Sequence, residues 1–359
     1  MRLGIIGLPN SGKTTLFNAV TGGSFETSAV SSGQFEVNTS VVEVPDERVD
    51  TLGKMVNAKK KVYATITYTD IGGLDKGIGQ GGLKGQLRNE LAAADGFLHV
   101  VRVFESATVP HPYTDVNPQR DVELLDNEFI LMDLVSIENR LDRLADEMRV
   151  KGKKAVSAVS EEIAHLESLK TFLESGKPLR DMGLSPDEVK PLKGFGFLSL
   201  KPVLIVLNIG DEAKDPASIL EYDHAHSQIV GIQAALEAEL SQLDQETADM
   251  FMEEYGITEL SASRVISLSY GLLNIHSFLT AGEKEVRAWT IPLGASAVEA
   301  AGAIHTDLAQ GFIRAEVIAY DDYVRLGGEK EAKAQGKMRL ESKDYIVQNG
   351  DVMVIRHNS

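Results

Sequence analysis

The sequence predicts an α/β fold in three parts: a mostly parallel sheet with helices on both faces, a helical insertion, and a small mixed sheet at the C-terminal end. Three observations predict it. β-Branched runs alternate with helical stretches over residues 1–120 and 201–276, a pattern of parallel strands joined by helical crossovers. Between residues 121 and 200 the alternation gives way to apolar residues spaced three and four apart. Over residues 277–359, short strand-like runs bounded by turn residues take its place.

Taken in order, Arg2-Leu3-Gly4-Ile5-Ile6 is a short apolar strand closed by Gly7, and Thr14-Thr15-Leu16-Phe17-Asn18-Ala19-Val20 has the apolar spacing of a helix. Further strands are predicted at residues 39–44, 62–69, 97–103, 203–207 and 228–232. In the insertion, Leu134, Ile137, Leu141, Leu144 and Met148 form one helical seam. Val159, Ile163, Leu166, Leu169 and Leu173 form a second, and Gly176-Lys177-Pro178 stops it. Two such helices around a polar turn make an antiparallel hairpin, which either packs against the core or projects as a coiled-coil arm. The last part holds strands at 286–291, 312–319, 338–341 and 352–356, a helix at 297–303, and a turn at Asn349-Gly350-Asp351. Its segment 327–336, rich in Glu, Lys and Ala, reads as a mobile loop or a short solvated helix.

A chain of 359 residues exceeds one ordinary core, which favours several domains. Hydrophobic content of 43% with 25% charged residues is that of a globular protein, and no apolar run reaches the roughly 20 residues of a membrane span. No membrane role is therefore expected. The first residues carry no leader pattern, so a cytoplasmic location is expected; a monomer is expected as well. The absence of cysteine excludes disulfides and thiolate metal sites, and the eight histidines are scattered. A net charge of -17 repels nucleic-acid phosphate, so any RNA contact needs a local patch. Two are present: Lys54 with Lys59-Lys60-Lys61, and Arg149 with Lys151, Lys153 and Lys154. Each also reads as a solvated basic turn.

The chemistry lies in Gly7-Leu8-Pro9-Asn10-Ser11-Gly12-Lys13-Thr14, a phosphate-binding loop set between a strand and a helix. Its glycines let backbone N–H groups turn inward around a phosphate, and the helix start adds its positive dipole end. Lys13 supplies charge to the β- and γ-phosphates, and the Thr14 hydroxyl is placed to ligate magnesium. Asn10, Ser11, Gly12 and Thr15 complete the contacts. Asp70, after the strand at 62–69, is placed to hold the magnesium through water, and the Gly73 N–H to meet the γ-phosphate. Leu74 stands where a water-orienting glutamine is found in switch nucleotidases, so hydrolysis is expected to be slow without help. Asn10 is a candidate potassium ligand or a keeper of loop geometry. In Asn208-Ile209-Gly210-Asp211-Glu212, Asp211 can accept bonds from guanine, while Ile209 in place of lysine leaves an apolar face that suits either purine. ATP or GTP is the expected ligand, and a nucleotide-binding scaffold with negligible hydrolysis is the rival reading.

The sequence resembles the YchF subfamily of Obg-like nucleotidases over nearly its whole length. The residues that carry the resemblance are Val44-Pro45-Asp46-Glu47-Arg48, Asp70 to Leu74, His99-Val100-Val101-Arg102, and Asp121, Glu123, Asn127, Glu128 and Asp133. In the C-terminal part they are Thr280-Ala281-Gly282-Glu283-Lys284-Glu285-Val286-Arg287-Ala288-Trp289-Thr290, Gly311-Phe312-Ile313-Arg314-Ala315-Glu316, and Lys343-Asp344-Tyr345-Ile346-Val347-Gln348. The resemblance implies a G domain (1–120 and 201–276), a coiled-coil insertion (121–200) and a C-terminal TGS domain of β-grasp fold (277–359). It also implies ATP hydrolysis in preference to GTP, potassium stimulation, and binding to the ribosome or ribosomal RNA through the TGS domain and a basic patch. The chain departs from the family pattern at Asp211-Glu212, where a single Glu is usual, at Gln34 in the first switch, at Gln233-Ala234, which borders the base, and at Leu83-Lys84-Gly85-Gln86.

Overall fold

The computed structural model describes residues 1–25, 37–72, 85–151, 156–210, 215–254 and 260–358. They form two compact units, Met1–Ser40 with Thr67–Val265, and Val41–Ile66 with Ile266–Ser359. In chain order the strands are β1 (Arg2–Ile6), β2 (Val37–Glu43), β3 (Lys61–Val62), β4 (Thr65–Ile71), β5 (Gly96–Arg102), β6 (Val203–Asn208), β7 (Ser227–Ile232), β8 (Ile275–Ala281), β9 (Val286–Pro292), β10 (Phe312–Ala319), β11 (Arg339–Glu341) and β12 (Asp351–His357).

The first unit is built on a sheet ordered β2-β4-β1-β5-β6-β7. β1 pairs in parallel with β4 and β5, and the parallel ladder continues through β6 to β7. Every residue of β5 and β6 is buried, the mark of strands covered on both faces. Leu91, Phe97, Val101, Ile205 and Leu207 build the core on one face.

The insertion packs through two separate apolar clusters. The helix Pro118–Lys151 is 34 residues long, about 50 Å at ~1.5 Å per residue. Its first half packs into the sheet core through Val122, Leu125, Phe129 and Met132. Its second half seals against the helix Val156–Glu174, with Ile137, Leu144, Leu166 and Leu169 in a separate apolar cluster. The boundary drawn at residue 121 thus falls inside a helix. Buried polar contacts fix its root: Arg180 donates to Asp126 Oδ1 at 2.8 Å, and the Tyr222 hydroxyl donates to Asp126 Oδ2 at 2.6 Å. Two helical turns further, Asp133 accepts from the Leu198 and Ser199 amides and the Ser199 hydroxyl at 2.9, 2.8 and 2.6 Å. Burial outweighs those donors and pushes its carboxyl up to about 6.

The second unit is the expected mixed sheet, ordered β11-β10-β12-β8-β9-β3. β12 and β8 run parallel, whereas β10 is antiparallel to β11 and β12, and β8 to β9. The helix Ala297–Ile304, opened by a Ser296/Glu299 capping box, covers one face over Phe278, Ile291, Val317 and Met353. Three expectations change here. The run at 62–69 is two strands, because β3 pairs with β9 in this sheet while β4 pairs with β1 in the other. Residues 41–66, assigned from sequence to the first domain, belong to this unit. β8 was missed altogether, since His276 and Ser277 interrupt its apolar pattern although both are buried. Segment 327–336 contains a short helix, Glu329–Ala334, whose Ala332 is buried. Among the described residues no helix is long and apolar enough to cross a membrane.

Candidate nucleotide site

The site lies at the carboxyl ends of parallel strands, beside the central strand β1, where open α/β sheets form their crevice. The turn out of β1 needs left-handed backbone, with φ of 148° at Gly7, 62° at Asn10 and 101° at Gly12. Space decides the two glycines as well. A Cβ at Gly7 would stand 2.3 Å from the Val100 carbonyl oxygen, and one at Gly12 would stand 2.3 Å from Asn208 Nδ2. Gly12 caps the helix Lys13–Thr21, whose first turn has no acidic residue to oppose an anion at its positive end.

The loop gathers the residues read from sequence. Lys13 Nζ donates to the carbonyls of Gly7 and Leu8 at 3.1 and 2.9 Å, which holds the ammonium over the loop. Ser11 is buried and Thr15 half-buried. The Thr14 hydroxyl donates to Asp70 Oδ2 at 2.8 Å, joining the loop to the end of β4 across 56 residues of sequence. Asn10 donates from Nδ2 to the Pro110 carbonyl at 3.0 Å, so it ties the phosphate loop to the segment after β5. Gly73, Leu74, Gln34 and Asp211 lie outside the described residues.

At the base end, Asn208 closes β6 and donates from Nδ2 to the Ser11 carbonyl at 3.2 Å. Ile209 is half-buried against the sheet core, and its amide donates to the Ile232 carbonyl at 3.0 Å. Gln233 precedes the helix Ala234–Leu240, and Ala234 is fully buried. That helix is fixed by Glu237, whose carboxylate accepts from the Ser261 and Ala262 amides at 2.9 and 2.6 Å.

Two further groups stand on β5, within the stretch His99 to Arg102 that carries part of the family resemblance. His99 on β5 is buried, and burial pushes its imidazole down to about 4, so it is neutral near pH 7. Arg102, 2 % exposed, ends the same strand and donates to the Phe104 and Val109 carbonyls. A charged side chain closing an otherwise apolar strand is the signal that could have singled it out.

The chemistry of the pair at the loop fits magnesium. Both are hard oxygen donors, and the 2.8 Å hydrogen bond between them brings a hydroxyl and a carboxylate together beside the phosphate loop, the donor chemistry that magnesium takes. Among the described residues no group of three His, Asp or Glu side chains forms a metal cage.

Residues 2–126 match the MMR_HSR1 family, described as 50S ribosome-binding GTPase, and residues 275–358 match YchF-GTPase_C, described as a protein of unknown function (DUF933). The ribosome-binding ATPase YchF of Haemophilus ducreyi is 40% identical over 363 residues, covering 99% of each chain. The chain belongs to the YchF family. Relatives named ribosome-binding ATPase YchF from Escherichia coli O157:H7 and Bacillus subtilis are also 40% identical, over 358 and 364 residues, and cover 98% and 99% of this chain and 98% of theirs. The solved YchF GTPase of Schizosaccharomyces pombe matches with a TM-score of 0.84 at 29% identity, over 99% of this chain and 97% of that one. YchF membership thus rests on both ends of the chain, including the strand β8 that sequence patterning missed.

Proposed function

We propose that this chain is a magnesium-dependent purine nucleoside triphosphatase, using ATP, that acts as a slow switch on the ribosome. The observation that carries the reading is the 2.8 Å contact of Thr14 with Asp70, which brings the phosphate loop and the second carboxylate-bearing strand end to one point. Curated relatives at 40% identity bear the name ribosome-binding ATPase, which supports both the nucleotide and the partner.

In this reading the loop amides and Lys13 bind the β- and γ-phosphates and stabilise charge on the transferring phosphoryl group. Thr14 and Asp70 would hold magnesium, which when bound neutralises phosphate charge. Asn208 braces the loop from the base side through Ser11, and Ile209 leaves the base motif without a lysine. Gly73 meets the γ-phosphate, Gln233 and Ala234 border the base, and Asn10 is available to potassium through its side-chain oxygen. With Leu74 unable to orient water, potassium or the ribosome supplies the missing positioning. Ribosome contact falls to the C-terminal unit, read as a TGS domain, and to the exposed Lys54, Lys59 and Lys60 beside it in that unit. That unit is close to charge-balanced, so nearly all of the -17 lies on the other.

Single-turnover hydrolysis of ATP, with and without potassium and ribosomes, tests the reading. Cleavage that rises with either is expected. No cleavage under any condition would leave a nucleotide-binding scaffold.

A further inference from the structure

We propose that Arg102 is a positioning residue for nucleotide binding: without touching the ligand, it holds the segment after β5 across both ends of the site. The proposal rests on the nucleotide reading above. Its starting point is a guanidinium buried to 2 % exposure at the end of β5. Nε donates to the Phe104 carbonyl at 3.0 Å and Nη2 to the Val109 carbonyl at 2.9 Å, so one planar group spans the loop from Phe104 to Val109. The same guanidinium lies over the Phe104 ring, 4.4 Å from its centroid. Nη1 is buried with no hydrogen-bond partner among the described residues.

Each end of that loop meets a part of the site. At its start, the Val103 amide donates to the Asn208 carbonyl at 3.0 Å. Phe104 abuts Gly210, where a Cβ would stand 2.8 Å from Phe104 Cβ. At its far end, the Pro110 carbonyl accepts from Asn10 of the phosphate loop at 3.0 Å. Arg102 therefore fixes the distance between a contact on the base motif and a contact on the phosphate loop. Burying a guanidinium is costly unless its donors are used, and two of its donor groups are spent on carbonyls of this one loop. A lysine has a single donor centre and cannot span both carbonyls in one plane.

The test compares wild type, Arg102→Met, Arg102→Lys and Lys13→Ala by calorimetric titration with a non-hydrolysable ATP analogue and with inorganic tripolyphosphate, both with magnesium. Arg102→Met keeps stem volume and removes the fork, and it is expected to weaken the ATP analogue about tenfold, the scale of two lost bonds to a charged donor. Tripolyphosphate, which has no base, is expected to change by less than about threefold on the same scale, and Arg102→Lys to recover part of the loss. Equal affinities in wild type and Arg102→Met, or equal losses for both ligands, would overturn the proposal. Should Arg102→Met fail to fold, Arg102→Lys decides by the same ratio. Lys13→Ala separates the two levels: if it binds both ligands like wild type, the nucleotide reading fails, whereas its loss beside an unaltered Arg102→Met removes only the role of Arg102.

Discussion

The phosphate end and the base end of the site are built on different principles. At the phosphate end, recognition comes from backbone held in left-handed turns, with glycine demanded by φ and by 2.3 Å approaches at Gly7 and Gly12. At the base end, the candidate residues are side chains gathered from separated strands: Asn208 closes β6, and Gln233 and Ala234 follow β7. Backbone recognition of a phosphate tolerates few sequences. Side-chain recognition of a purine tolerates many, so the base motif can drop its lysine for Ile209 while the phosphate loop keeps every expected residue.

Perturbing each end separately sharpens this contrast. The largest effect is expected from Lys13→Ala, which removes the charge held over the loop: affinity for ATP and GTP analogues alike falls about 100-fold, the scale of a charged hydrogen-bonding group. Equilibrium binding checks it, alongside a melting curve close to wild type. A loss confined to one nucleotide would contradict the division between the two ends.

A second test lies on the buried strand β5, at His99. Its folded pKa of about 4 lies below an unfolded value near 6.5, so its contribution is complete above about 6.5 and is lost as the pH falls toward 4. Between pH 7 and pH 5 the protein is expected to lose about 2 kcal/mol from this group. Denaturant titrations of wild type and His99→Gln check it, the variant showing the shallower decline. Equal slopes would mean that the buried imidazole does not govern acid sensitivity here.

The smallest effect is expected from Asn208→Ala. Losing the bond to the Ser11 carbonyl costs about 1 kcal/mol, or roughly fivefold in affinity for purine nucleotides. Competition binding with tripolyphosphate tells whether the loss is specific to the base end. A hundredfold loss would instead place Asn208 with the phosphate machinery.

The contrast also explains what the sequence made legible. Contiguous, backbone-driven features were readable: the loop from Gly7 to Thr14, the strand ending at Asp70, and the two seams of the helical hairpin, whose spacing reflects burial directly. Features assembled from distant segments were not. Nothing local announces that β3 leaves the run at 62–69 to pair with β9, because no glycine, proline or charged residue marks the break. β8 escaped because His276 and Ser277 are polar yet buried. Arg102 was visible as a motif letter, but its task depends on carbonyls that only folding brings to it.

The central claim is that the chain binds a purine triphosphate through the Gly7–Thr14 loop and favours adenine at a base end without the usual lysine. Calorimetric titration of the purified protein with non-hydrolysable ATP and GTP analogues, in magnesium and potassium, tests it most directly. Tighter binding of the ATP analogue is the predicted result. Tighter binding of the GTP analogue would contradict the adenine preference and credit Asp211, and binding of neither would contradict the account as a whole.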